Sequence, residues 1–391
     1  MRFSKDNDRL TIFLTCRIDT SNAAAAESEI LAVLADNPGC SAVFDADELA
    51  YISSAGLRVL MKLRKKLGES MRIINAYPEV YDIFDMTGFT ELLQVEKRFR
   101  ELSVEDCKVI GTGFYGTVYR IDEETIVKVY HSPDSLPTIR NEQRLAKRAF
   151  VKGVPTAISY DIVRVGDSYG SVFELLNAET FNTILMQQPE RFEEILNIYV
   201  DFLKTVHQAE MDPGTLPMAR DVFIGYLDVI RQYLTDAQYA RLKALLSALP
   251  DDLHVVHGDF QMKNVMLVGE EPMLIDMDTL ATGQPVFDLQ ALYVTYVLFG
   301  LDDPDNLKNF LGIPDEWGVR IWEGILRRYF AAADREALDA VDRKIRLAAA
   351  VRFLYLLETT DLKNGELGQK RIRRAQQDIA ALLEQADTFI L

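Results

Sequence analysis

Apolar positions alternate with polar ones over residues 10–18 (LTIFLTCRI) and again over 41–45 (SAVFD), a period of two that predicts strands. Between and after them, residues 22–35, 55–67 and 78–85 repeat their apolar positions at helical spacing. Strand alternating with helix predicts a small α/β sandwich over about residues 1–102. The stretch Phe99 to Cys107 is polar and charged, and the pattern changes beyond it, so a second unit is expected over 103–391. From about 108 to 176 it reads as strands with one helix, Thr138 to Phe150. From about 177 to 391 it is mostly helical. That order predicts an α+β bilobal arrangement, a small β-rich lobe followed by a large helical lobe. No repeat or low-complexity tract interrupts it; Ala23 to Ala26 opens a helical pattern.

Composition narrows the classes. The 391 residues are 48% hydrophobic and 26% charged, close to ordinary globular averages, which excludes extensive disorder or a collagen-like chain. A formal net charge of −17 disfavours nucleic acid and anionic membranes as partners. The main basic cluster, Arg58, Lys62, Arg64, Lys65 and Lys66, shares a helix with Leu57, Val59, Leu60, Leu63 and Leu67, as a solvated face does. Three scattered cysteines, Cys16, Cys40 and Cys107, make neither a disulfide framework nor a zinc site, and a reducing cytoplasm is expected. Residues 1–11 lack the apolar run of a signal peptide, and no later stretch is long enough for a membrane span.

The second unit opens on Gly111-Thr112-Gly113-Phe114-Tyr115-Gly116, a G-x-G-x-x-G run. In a dinucleotide-binding fold such a run opens a helix, whereas here Thr117-Val118-Tyr119-Arg120 continues as strand, so a hairpin over phosphates is expected. Lys128 on the next apolar strand supplies a cation, and Glu142 on the following helix is its expected partner. Further on, Val255-Val256-His257-Gly258-Asp259-Phe260-Gln261-Met262-Lys263-Asn264 precedes Met273-Leu274-Ile275-Asp276-Met277-Asp278, so apolar strands bracket two aspartates and an asparagine. Phosphoryl transfer needs a base or orienter at the attacking hydroxyl, which suits Asp259, and oxygen ligands for magnesium, which suit Asn264 and Asp276. Met262, Met266, Met273 and Met277 read as core filling.

These motifs resemble the protein-kinase-like superfamily, and within it the aminoglycoside phosphotransferase and choline kinase branch, whose catalytic loop reads H-G-D. The resemblance covers about residues 108–391 and implies ATP and magnesium as cofactors. It implies Gly111, Gly113, Gly116, Lys128 and Glu142 around the phosphates, and the backbone of Glu174 and Leu176 against adenine. It further implies His257 as an orienter of the loop and Asp288, in Gly283-Gln284-Pro285-Val286-Phe287-Asp288, as its brace. Gly258 stands where many protein kinases carry the arginine that holds an activation-loop phosphate, and few residues separate Asp276 from Asp288. Both favour a small-molecule hydroxyl acceptor. Asp212, Asp221 and Asp228 would suit a cationic acceptor and equally suit solvent.

The first unit resembles the STAS domain of anti-sigma-factor antagonists through Asp45 to Leu57 and Val80 to Phe89. Aligning Ile52-Ser53-Ser54-Ala55-Gly56-Leu57 to the family's I-D-S-S-G-L puts Ser54 on the phosphoacceptor and Ser53 where an aspartate is usual. Ser53 or Ser54 equally fits a helix N-cap. The resemblance implies regulation or docking of a protein partner. Two alternatives to a small-molecule phosphotransferase stay open: a signalling serine kinase that phosphorylates Ser54, and an ATP-sensing interaction protein without turnover.

Overall fold

The computed structural model describes residues 1–68, 71–113, 115–331 and 333–391; Phe114 of the glycine run lies outside the described residues. The chain forms two units, Met1–Ser103 with Ile162–Asp167, and Val104–Asp161 with Ser168–Leu391.

In the first unit Leu10, Ile12 and Leu14 are fully buried while Thr11, Phe13 and Thr15 are half-buried, so strand Arg9–Ile18 turns one face to a core. It is flanked by Phe3–Asp6, antiparallel, and by Ser41–Ile52, Arg72–Ala76 and Gln94–Lys97, paired in parallel in that order. Helices Ala23–Asp36, Ser54–Leu67 and Pro78–Met86 complete the α/β unit. Leu57, Val59, Leu60 and Leu63 lie on the buried side of the second helix, and Arg58, Lys62, Lys65 and Lys66 are exposed on the other. Strand Ser41–Ile52 runs well past the expected 41–45. Ala46, Leu49 and Ile52 keep an apolar face buried beneath the exposed Glu48, and two irregularities in its pairing with Arg9–Ile18 absorb the broken alternation. Within the polar stretch expected as a linker, Arg100–Glu101 pairs in parallel with Val163–Arg164, which draws Ile162–Asp167 into this unit.

In the second unit, antiparallel strands stand in the order Ser168–Glu174, Thr125–Tyr130, Gly116–Arg120, Lys108–Thr112. Helix Leu136–Val151 follows the third of these in sequence and buries Ile139, Glu142, Leu145, Ala146 and Ala149. The helical lobe is built on Phe192–Gln208, Ala219–Val229, Val286–Tyr293, Trp317–Tyr329, Arg335–Thr359 and Gly365–Leu383, around Tyr199, Leu203, Phe260, Leu292 and Phe353. Two small ladders frame residues 257–264. Val255–Val256 pairs with Ala281–Thr282, and Val265–Val268 pairs with Glu271–Leu274 and with Ala178–Thr180. The apolar run expected as one strand through Ile275 stops at Leu274, and Met277–Thr279 forms a 3-10 turn. Among the described residues no helix is long and apolar enough to cross a membrane, and Cys16, Cys40 and Cys107 are free thiols.

Candidate active site

The loop 257–264 is held from three directions. Asp288, fully buried on helix Val286–Tyr293, accepts the backbone N–H of His257 on Oδ2 at 2.8 Å and that of Gly258 on Oδ1. His207 Nε2 donates to Asp288 Oδ2 at 2.9 Å, and the Tyr329 hydroxyl reaches His207 Nδ1 at 2.7 Å. Burial would push the Asp288 carboxyl up, but His207 and the His257 amide outweigh it and hold it below the ordinary carboxylate value. His257 spans the loop, with Nε2 donating to the Ile275 carbonyl at 3.2 Å and Nδ1 accepting the Asp259 amide at 3.3 Å. From the core side Tyr199 donates to the Phe260 carbonyl, and the Tyr296 hydroxyl accepts the Met262 amide at 3.0 Å. Tyr296 sits in a π-helical turn, Val294–Leu298, a local widening that recurs at functional sites.

Gly258 is required by this packing. Its φ is +82°, and a Cβ there would stand 2.8 Å from the Thr279 carbonyl oxygen. An arginine could not occupy the position without moving the turn that follows Asp276.

Asp259 commits one carboxylate oxygen to the protein. Oδ2 accepts from Gln261 Nε2 and Asn264 Nδ2, each at 2.9 Å, while among the described residues Oδ1 has no hydrogen-bond partner. Burial raises its pKa, against the opposing hydrogen bond from Gln261. Asn264 also donates to the Asp259 backbone carbonyl at 2.9 Å, which commits its amide nitrogen and leaves its oxygen.

Across the cleft, Lys128 ion-pairs with Glu142 at 3.6 Å and, more tightly, with Asp276. Desolvation would lower the Lys128 pKa, but Glu142 and Asp276 reverse it and hold the ammonium charged. Glu142, buried, also takes the Tyr130 hydroxyl. Asp276 is the N-cap of the 3-10 turn at φ +63°, a left-handed conformation uncommon outside glycine. Asp278 follows two residues on, and burial, then the Asp276 charge, pushes its carboxyl up to about 7. Among the described residues no three His, Cys, Asp or Glu side chains group as a metal cluster.

The glycine hairpin closes with the Gly113 amide donating to the Gly116 carbonyl at 2.9 Å. A Cβ on Gly116 would lie 2.5 Å from the Val129 carbonyl oxygen, whereas on Gly111 or Gly113 it would meet nothing nearer than 3.8 Å. Glu174 ends its strand, the Leu175 amide donates to the Glu124 carbonyl, and Leu176 follows directly. Thus Lys128, Glu142 and Asp276 converge, as do Asp259 with Asn264 and His257 with Asp288. Asp212, Asp221 and Asp228 instead face Lys152, Arg220 and Tyr239. Ser54 is exposed in the first unit; Ser53, not Ser54, caps the helix by accepting the Ala55 amide at 3.2 Å.

The sequence does not single out Gln261, Tyr130 or Tyr296. Gln261 was legible in principle, two residues from Asp259 in a tight loop. The others come from distant helices or a neighbouring strand position and carry no motif.

The family described as phosphotransferase enzyme family matches residues 106–341, and the STAS domain matches residues 3–102. An anti-sigma factor antagonist, BtrV of Bordetella bronchiseptica, is 33% identical over 81 residues, 20% of this chain and 69% of its own length. Solved structures similar to the chain include aminoglycoside phosphotransferase APH(2'')-Ib with ADP, at 16% identity and TM-score 0.46 over 74% of this chain and 97% of that one. A choline/ethanolamine kinase family protein from Mesorhizobium loti follows at 15% and 0.45, over 72% of this chain and 92% of that one.

Proposed function

As the chain belongs to the phosphotransferase enzyme family and carries a STAS domain over residues 3–102, we propose that it transfers the γ-phosphoryl group of ATP to a hydroxyl of a small molecule. The observation that carries the reading is Asp259: a carboxylate fixed through Oδ2 by Gln261 and Asn264, with Oδ1 left to receive an acceptor hydroxyl. Asp259 orients that hydroxyl and takes its proton as the oxygen attacks phosphorus. His257 and Asp288 hold the loop by hydrogen bonds to its backbone, so the carboxylate needs no reorganisation.

Lys128, kept charged and aimed by Glu142, holds nucleotide phosphates. Among the described residues Gly111 and Gly113 have no neighbour that demands glycine, which fits a loop whose backbone approaches phosphate oxygens. The donor set of the Asn264 amide oxygen and the Asp276 carboxylate fits magnesium, which keeps most of its waters and takes few protein ligands. Bound there, the cation neutralises charge on the phosphates. The backbone at Glu174 and Leu176 meets the adenine. Residues 277–287 are taken up by a 3-10 turn, the strand Ala281–Thr282 and the start of a helix. That leaves little chain for docking a peptide and favours a small acceptor over the signalling-kinase and ATP-sensing readings. The STAS domain then serves regulation or docking of a protein partner, with exposed Ser54 at its helix start as the phosphoacceptor.

Nucleotide linkage tests this directly. At about one hundred times its dissociation constant, Mg-ATP is expected to stabilise the unit that holds it by about 2.7 kcal/mol in calorimetry. Lys128→Met should remove most of that shift; equal stabilisation of both proteins would count against the assignment.

A further inference from the structure

Beside Gly258 and Thr279 lies a shallow, open cleft, walled mainly by Phe223, Tyr226, Ala281 and Phe287. Two of its lining residues are not explained by the fold. Gln290 is 1% exposed; its Nε2 donates to the Phe287 carbonyl at 2.8 Å, but its Oε1 has no hydrogen-bond partner, a costly state for a buried oxygen. Among the described residues, Arg352 from the long helix Arg335–Thr359 is the sole charged residue in the lining, and no carboxylate forms an ion pair with it. Its Nη1 donates to the Tyr226 hydroxyl, and its guanidinium lies 5.2 Å from the Tyr226 ring and 6.0 Å from that of Tyr355. Those two rings stack 3.8 Å apart, a platform that holds the guanidinium in place and leaves most of its five N–H donors unused.

Building on the phosphotransferase reading, we infer that this cleft is the acceptor subsite and that it takes a small hydroxyl compound bearing a carboxylate or phosphate. Arg352 receives the anion on its planar fork, and a hydroxyl of the same molecule donates to Gln290 Oε1. Gly258 in the cleft wall brings Asp259 to its edge, where a further hydroxyl meets Oδ1. The transfer balances: the acceptor oxygen forms its bond to the γ-phosphorus, the bond to the β-bridging oxygen breaks, and the hydroxyl proton passes to Asp259. A cationic acceptor would face Arg352 with like charge. The aspartates that might have welcomed one, Asp212, Asp221 and Asp228, are not in the lining. Arg352 also acts electrostatically on Asp259 and on Tyr115 of the glycine hairpin, which puts its charge within the same site.

The test is equilibrium binding to the full chain without nucleotide, by calorimetry. Glycerate and homoserine form a carboxylate arm, glycerol 3-phosphate and ribose 5-phosphate a phosphate arm, and glycerol, ribose and choline the controls. At least one anionic arm should bind more tightly than every control. Arg352→Gln should weaken that binding about ten- to a hundredfold, and Arg352→Lys by less. In steady-state assays the Arg352→Gln loss should fall on the acceptor KM more than on kcat. Controls that bind as well as the anions, no anion binding at 10 mM (about a hundredfold above an assumed affinity near 0.1 mM), or Arg352→Gln lowering kcat with unchanged anion affinity would each overturn the proposal. Because binding is read without ATP, the two readings fail separately: an anion held through Arg352 that receives no phosphate once Mg-ATP is added overturns the acceptor assignment of the cleft, whereas absence of transfer from Mg-ATP to any hydroxyl compound overturns the phosphotransferase reading.

Discussion

Two glycines of the same hairpin answer to different constraints. Gly116 faces the Val129 carbonyl oxygen so closely that Gly116→Ala must displace a strand, and a loss of about 1–3 kcal/mol in urea unfolding is expected. Gly113 has open space, so Gly113→Ala should leave stability nearly unchanged and instead weaken Mg-ATP binding; the reverse pattern in paired denaturation and binding assays would contradict the phosphate-hairpin role. At this scale the residues that the fold brings together, Lys128 with Asp276 and Asp259 with Asn264, were legible because they fall in short motifs of few residue types. Tyr130, Gln290 and Arg352 were not, because each reaches the site through the packing of its own element, and a tyrosine, glutamine or arginine in such an element reads as ordinary amphipathic surface. Burial beside Asp276 pushes the Asp278 carboxyl up to about 7, an environment that spacing alone does not reveal.

At the scale of elements, two helix starts carry separate tests. Ser53 accepts the Ala55 amide, so Ser53→Ala should cost about 1 kcal/mol of stability, while Ser54→Ala, which removes no hydrogen bond among the described residues, should cost far less; chemical denaturation of the two variants decides. Helix Val286–Tyr293 brings Asp288 under the catalytic loop. Its folded pKa lies below the ordinary 3.8, so its contribution is fully present above that value and fades as pH falls through the lower folded one. Asp288→Asn should therefore destabilise by about 3–5 kcal/mol at pH 7. The gap from wild type should narrow as pH falls below 3.8, and a gap that is constant with pH would contradict the charge-based account. Helical periodicity made the helices of the first unit legible to within a residue or two. The strand Ser41–Ile52 was underestimated because Asp45, Asp47 and Glu48 break its apolar alternation, although Ala46, Leu49 and Ile52 still pack inward. The two-residue ladder at Val255–Val256 is too short for any pattern to specify; its partner Ala281–Thr282 lies a full catalytic loop away.

For the whole molecule, each unit has its own apolar core, Leu10, Phe44 and Phe84 in one and Tyr199, Phe260 and Phe353 in the other. The change from alternating strand and helix to a β-rich stretch and then helices signals two units, but the order of elements gives no sign that Ile162–Asp167 falls with the first. In a chain of net charge −17, an arginine in the cleft wall without an ion-pair partner among the described residues is a specific feature and not a reflection of general basicity. The central claim is that Asp259 serves transfer from ATP to a small hydroxyl compound. The most direct measurement follows labelled γ-phosphate from Mg-ATP through wild type, Asp259→Asn and Ser54→Ala, with a panel of hydroxyl compounds present and the intact protein mass recorded. The account predicts label on an added small molecule, a rate lowered about 10²- to 10⁴-fold by Asp259→Asn, and no dependence on Ser54. Label confined to the protein and lost with Ser54, or transfer that persists undiminished in Asp259→Asn, would contradict it.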